Sequence, residues 1–175
     1  MVAGCGAALL ASRWVAVSDE SEAMRNRDVV LCMDVSGSMS AVVNDVIDSY
    51  ADLVDSLDGE RIGFVMFDAN AVTGFALTDD YDQVALMLQT IRAEVASGEP
   101  VAGTSAERSG SSLIGDGVAS CVQHFDRLDE KRARTLVLAS DNLVSGDSIY
   151  TLPQAVDLAR AADVMVFGIV PRANP

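Results

Sequence analysis

Asp34, Ser36 and Ser38 stand at alternate positions in Asp34-Val35-Ser36-Gly37-Ser38, directly after the apolar run Val29-Val30-Leu31-Cys32-Met33. Carboxylate and hydroxyl oxygens on a turn that leaves a buried strand are hard ligands of the kind a small divalent cation takes. These residues alone do not complete a coordination shell, so further oxygen donors must arrive from elsewhere in the chain. Two later segments offer them. Val137-Leu138-Ala139-Ser140-Asp141-Asn142 ends a second apolar run in Asp141, and Ser111-Ser112-Leu113-Ile114-Gly115-Asp116-Gly117 opens a helix with two serines, either of which supplies a hydroxyl. Two aspartates and a few neutral hydroxyls make a small octahedral site completed by water, with too few charges and ligands for a tight calcium cage. The motifs contain no His or Cys, which argues against zinc, copper or iron.

The elements that must position these residues follow from hydrophobic period. Residues 28–34 read as a strand whose continuous apolar run, Val29 to Met33, suggests burial on both faces of a parallel sheet. Val43, Val46, Ile47, Tyr50, Val54 and Leu57 recur at helical spacing and predict a helix over about 39–57, closed by Asp58-Gly59. Asp45, Asp48, Asp52 and Asp55 line another face of that helix and read as a solvated face rather than a binding row. Arg61–Phe67 and Val72–Leu77 form two strands joined by the short turn Asp68-Ala69-Asn70, an antiparallel hairpin. Thr78-Asp79-Asp80 caps a helix over about 80–96 with Val84, Met87, Leu88 and Ile91 inward. The polar stretch 97–110 is a loop, and a helix runs from Ser111 or Ser112 to about Phe125. Thr135–Ala139 is a central strand, Thr151-Leu152-Pro153 opens a helix to about Ala162, and Val164–Val170 is a last parallel strand. The order β-α-β-β-α-α-β-α-β predicts a three-layer α/β fold. In such sheets ligands bind beyond the carboxyl ends of the strands, where Asp34 and Asp141 fall.

Composition narrows the function classes. The chain has 175 residues, half of them hydrophobic, enough for one domain with a core. Its net charge is −14, and Lys131 is its only lysine, so phosphate backbones would repel it and nucleic acid is not an expected partner. Three cysteines without a C-x-x-C pair give no disulfide framework, and Cys32 and Cys121 read as small core residues. Val2 to Ala11 is small and apolar and is followed by Arg13 and Trp14. At about ten residues it is shorter than the ~20 a spanning helix needs and reads either as a remnant of a membrane anchor or as a plain disordered or packed N-terminal segment. Residues 15–26 read as a linker. The chain therefore divides into residues 1–26 and a domain over 27–175.

Taken alone, Asp-x-Ser-x-Ser is a weak signal: Asp34 could simply form a turn, and Ser38 or Ser40 cap a helix. Enzymatic readings fit less well. A phosphatase of the haloacid dehalogenase type needs an aspartate where Ser36 stands, and a phospho-receiver needs a lysine that the 164–170 strand lacks. There is no phosphate loop, dinucleotide fingerprint or nucleophile elbow. His124, the only histidine, reads as a satisfied or exposed helix residue.

The three segments, in this order and each at a strand end or helix start, resemble the von Willebrand factor type A (vWA) domain with its metal-ion-dependent adhesion site. The resemblance covers about residues 27–171. It implies a three-layer α/β/α Rossmann-like fold with a mostly parallel sheet and one antiparallel strand. It places the metal ligands at Asp34, Ser36, Ser38, Ser112 and Asp141. Ser112 stands where the family has threonine, and Ser140-Asp141-Asn142 replaces T-D-G. By the same resemblance the ion is Mg²⁺ or Mn²⁺, with Ca²⁺ less suited, and a Glu or Asp of a protein partner completes its shell. The implied function is non-enzymatic, metal-dependent protein binding. The alternatives are a structural domain with a vestigial site and a metal-dependent phosphatase-like hydrolase. Bacterial relatives imply other membrane vWA proteins or an AAA+ ATPase system as partners, and an anchored, extracytoplasmic location. The family continues beyond the 164–170 strand with one more strand and a helix that this sequence lacks, so that strand is expected at an uncovered edge. The final helix moves in switching members, so switching is not expected here.

Overall fold

A computed structural model describes residues 26–104, 113–143 and 146–170. Its strands are β1 (Arg27–Asp34), β2 (Arg61–Phe67), β3 (Ala71–Thr78), β4 (Ala133–Ala139) and β5 (Val164–Ile169). Its helices are α1 (Val43–Asp55), α2 (Tyr81–Ala96), α3 (Ile114–Gln123) and α4 (Leu152–Ala161). The sheet runs β3-β2-β1-β4-β5, parallel throughout except for the antiparallel β2–β3 pair. This is the mostly parallel α/β architecture expected from the sequence.

The pleat of β1 divides its side chains between two cores. Val29, Leu31 and Met33 pack with Val46, Ile47 and Tyr50 of α1 and Val84, Leu88 and Ile91 of α2. Val30 and Cys32 pack with Ile114, Val118 and Cys121 of α3 and Ala155 and Ala159 of α4. Alternation along a strand puts residues two apart on one face, so Asp28, Cys32 and Asp34 share the α3 side. Asp80 and Thr151 cap their helices as the sequence predicts: Asp80 accepts from Gln83 N, and Thr151 and Gln154 form a reciprocal capping box.

Two expectations are corrected. The helix placed over 39–57 is split. Gly37–Met39 is a turn of 3₁₀-helix, with Met39 N donating to Ser36 O at 2.9 Å, and α1 begins only at Val43. Gly and Ser are poor helix formers, and the tighter turn drives Met39 into the core, fully buried. Neither Ser38 nor Ser40 caps α1; its N-cap is Val42, with no side-chain cap bond. The second correction concerns cysteine. Cys32 and Cys121 are joined in a disulfide with Cα atoms 6.0 Å apart. They lie 89 residues apart in sequence, and only the packing of α3 on β1 brings them together.

At the amino end of the sheet, fully buried Asp28 accepts from two guanidiniums. Arg61 binds it through Nε (2.9 Å) and Nη2 (2.7 Å), and Arg132 Nε lies 2.9 Å from both its oxygens. Arg61 continues to Asp126, and Arg132 to Glu130. At one sheet edge, Met165, Val166 and Phe167 of β5 are exposed, as expected for that strand.

Candidate metal centre

Strand order reverses direction between β1 and β4: from β1 the chain crosses to β2 on one side and later returns to β4 on the other. The carboxyl ends of these neighbours form the crevice in which open α/β sheets bind ligands. Asp34 ends β1 there, fully buried. Its Oδ1 accepts from Ser36 N at 2.9 Å, which folds Asp34-Val35-Ser36 into a tight turn. Its Oδ2 accepts from Ser140 Oγ at 2.9 Å. Ser140 is itself buried and also accepts from Asn142 N at 3.0 Å. One hydroxyl thus ties the turn after β4 to the aspartate at the end of β1.

Ser36 Oγ and Ser38 Oγ lie 3.2 Å apart, Ser36 buried and Ser38 exposed. Octahedral ligands at 2.0–2.1 Å put neighbouring oxygens about 3.0 Å apart. The two hydroxyls therefore already have nearly the spacing of adjacent ligands around one small cation. Asp141 is half-buried beside Ser140, and its Oδ1 accepts from Leu143 N at 3.0 Å. Asn142 takes the left-handed conformation, φ 61°, which turns the chain sharply after Asp141. Ser112, the remaining expected donor, lies outside the described residues. Among the described residues no group of three or more His, Cys, Asp or Glu is arranged to hold a metal. The donor set that fits a cation here is instead carboxylate plus hydroxyl, hard oxygens throughout.

Two participants were not singled out from sequence. Ser140 was read only as a substitute inside a turn motif, yet it holds Asp34. Asp68 was read as a turn residue. It follows β2 directly, and β2 pairs with β1 so that Phe67 lies opposite Asp34. Burial, and then the charge of Asp34, hold the Asp68 carboxyl above the usual carboxylate value. Its position just past the carboxyl end of the strand beside β1 was the available signal. Asp116, in the first turn of α3, accepts from Ile149 N (3.0 Å) and Tyr150 N (2.6 Å), ahead of α4. His124 is away from the centre, with Nε2 3.1 Å from Phe75 O.

The family model for the von Willebrand factor type A domain matches residues 29–143. The chain belongs to this family. The vWA domain is a general protein-interaction fold, and here Asp34, Ser36, Ser38 and Asp141 lie at the carboxyl ends of strands β1 and β4. Solved structures share the fold. BatB from Bacteroides thetaiotaomicron superposes with a TM-score of 0.62 at 22% identity, covering 81% of this chain and 65% of that one. An aerotolerance-related membrane protein from Bacteroides fragilis gives 0.58 at 18% identity, over 81% and 66%. Proximal thread matrix protein 1 of the mussel byssus, with a zinc-occupied MIDAS motif (the metal-ion-dependent adhesion site), gives 0.60 at 18%, over 82% and 37%. The chain thus spans just under two thirds of the bacterial chains and much less of the mussel protein. No curated protein matches the sequence.

Proposed function

We propose that this vWA domain binds a divalent cation at the carboxyl end of its sheet and, through it, an acidic residue of a protein partner. The observation that carries the reading is the preformed turn at Asp34: a buried carboxylate with the Ser36 and Ser38 hydroxyls held 3.2 Å apart beside it. Asp34, Ser36, Ser38, Ser112 and Asp141 would hold the ion by direct or water-mediated contacts, Mg²⁺ or Mn²⁺ before Ca²⁺. Bound there, the cation supplies a positive centre to which an anionic side chain is attracted wherever water is partly excluded. The chain's own part is to hold the hydroxyls and the buried carboxylate in place before the ion arrives, through Ser140 and the Ser36 amide. The negative charges of Asp34 and Asp68 at one end of the sheet favour a cation there. The zinc-occupied MIDAS motif of the mussel relative supports a metal in this fold.

The role proposed is binding rather than catalysis, as in the adhesion and interaction proteins that share this fold. The domain is read as extracytoplasmic and tied to a membrane through its N-terminal segment. The buried Cys32–Cys121 disulfide supports an oxidising compartment, and the Bacteroides fragilis relative is described as a membrane protein. Among the described residues no helix is long and apolar enough to cross a membrane. Other vWA proteins or an AAA+ ATPase system are the proposed partner classes. Calorimetric titration with Mn²⁺ tests the reading: one site per chain in the wild type, lost in Asp34→Ala and weakened in Asp141→Ala. Equal binding by wild type and Asp34→Ala would refute it.

A further inference from the structure

We propose that the Cys32–Cys121 disulfide is a positioning element of the metal centre, fixing where α3 lies along β1 and so holding the helix's first turn at the level of Asp34. The part that concerns metal affinity rests on the function proposed above. Cys32 precedes Asp34 by two residues, about 6.6 Å along the strand, and shares its face. Cys121 lies seven residues into α3 from Ile114, about 10.5 Å along the helix. The covalent bond therefore joins the strand that presents Asp34 to the helix whose first turn lies at the same end of the sheet.

The first turn of α3 is where the surrounding loops are tied. Leu113 N donates to Asp68 O at 3.3 Å, which connects the helix to the turn after β2. Asp116 accepts from Ile149 N and Tyr150 N, which connects it to the segment between Asp141 and α4. These two connections flank Asp34 on either side, because β2 and β4 are the two neighbours of β1. A shift of α3 along its axis would move both loops relative to the buried carboxylate.

Ile114, Val118 and Val122 on the buried face of this helix pack in the same core and share in setting its position. Helices are normally registered by side-chain ridges seated in grooves of the opposing layer. Two of the buried positions of α3, Gly115 and Gly117, carry no side chain to act as a ridge. At Gly117 the helix backbone passes so close to the Phe67 ring that a Cβ would fall 2.4 Å from it. At Gly115 a Cβ would fall 1.9 Å from Tyr150 O. Glycine permits the close approach but supplies no ridge. The disulfide, with both cysteines fully buried, adds a covalent fixed point to that packing.

The test compares the oxidised wild type with Cys32→Ala/Cys121→Ala and with the better-filled Cys32→Val/Cys121→Ala. Mn²⁺ affinity is measured by electron paramagnetic resonance well below every melting temperature, and hydrogen exchange is followed at amides 114–118. The expected result is at least tenfold weaker Mn²⁺ binding and at least tenfold faster exchange at those amides, with the amides of β2 still protected. A lower melting temperature with unchanged affinity and unchanged exchange at 114–118 would make the bridge a general brace and overturn the proposal. Two free thiols at these positions in the purified protein would overturn it too. If the wild type binds no Mn²⁺, the function proposed above fails, and the exchange comparison alone still decides the positioning role.

Discussion

Replacing Asp28 by alanine strips the carboxylate from between two guanidiniums that have almost no access to water. The Arg61 and Arg132 side chains are each 9% exposed, and Asp28 is completely enclosed. What would remain to them is Asp126, 56% exposed, and Glu130, 47% exposed, both screened by solvent. Removing one partner of a buried ion pair costs about 3–5 kcal/mol, because the charge left behind stays desolvated. That is a large share of the ~5–15 kcal/mol typical of a domain. At about 2–4 °C per kcal/mol for a chain of this size, the melting temperature should fall by roughly 6–20 °C. Asp28→Asn keeps an acceptor oxygen and the volume, so it should lose less than Asp28→Ala. The assay is urea unfolding followed by circular dichroism, with the slope checked for constancy. Asp28 and Asp34 lie six residues apart on one strand, about 20 Å, so Mn²⁺ affinity of the folded variant should stay within about twofold of wild type. A loss below about 1 kcal/mol for Asp28→Ala, or equal losses for Ala and Asn, would refute this reasoning.

Gly115→Ala should destabilise the domain by about 2 kcal/mol and weaken Mn²⁺ binding, because its methyl would meet the Tyr150 carbonyl oxygen. Overpacking of about 1–3 kcal/mol, at its upper end against rigid backbone, outweighs a helix-propensity gain of about 1 kcal/mol; urea unfolding and calorimetry check both effects. Burial holds the His124 imidazole below its ordinary value. Its contribution to stability is therefore present above about pH 6.5 and is lost as pH falls through the lowered value. Unfolding midpoints taken between pH 7 and 5 should decline in the wild type and decline less in His124→Gln.

The order of elements was legible because each strand and helix has a clean hydrophobic period and its own punctuation. Asp80 and the Thr151–Gln154 pair cap the helices they precede in sequence. The start of α1 was not legible, since Gly37 to Ser40 carries no period and its 3₁₀ turn is set by the burial of Met39. Local patterns also located Asp34, Ser36 and Ser38, because one turn contains all three. What escaped were pairings between residues distant in sequence. Ser140 and Asp34 are 106 residues apart, Asp28 and Arg132 are 104 apart, and the two bridged cysteines are 89 apart. Each pairing exists only because parallel crossovers bring β4 and α3 against β1, which no local period records. The bond of Asp116 to residues 149 and 150 escaped for the same reason.

The central claim is that Asp34 anchors a divalent cation at the end of β1. Melting temperatures of the wild type and Asp34→Ala, each in EDTA and in excess Mg²⁺ or Mn²⁺, test it most directly, since a ligand that binds only the folded state must stabilise it. At about a hundred times the dissociation constant the gain is about 2.7 kcal/mol, or roughly 5–11 °C for a chain of this size. The account predicts that rise in the wild type and none in Asp34→Ala. A wild type that melts at the same temperature with and without metal, or a variant that rises equally, would contradict it.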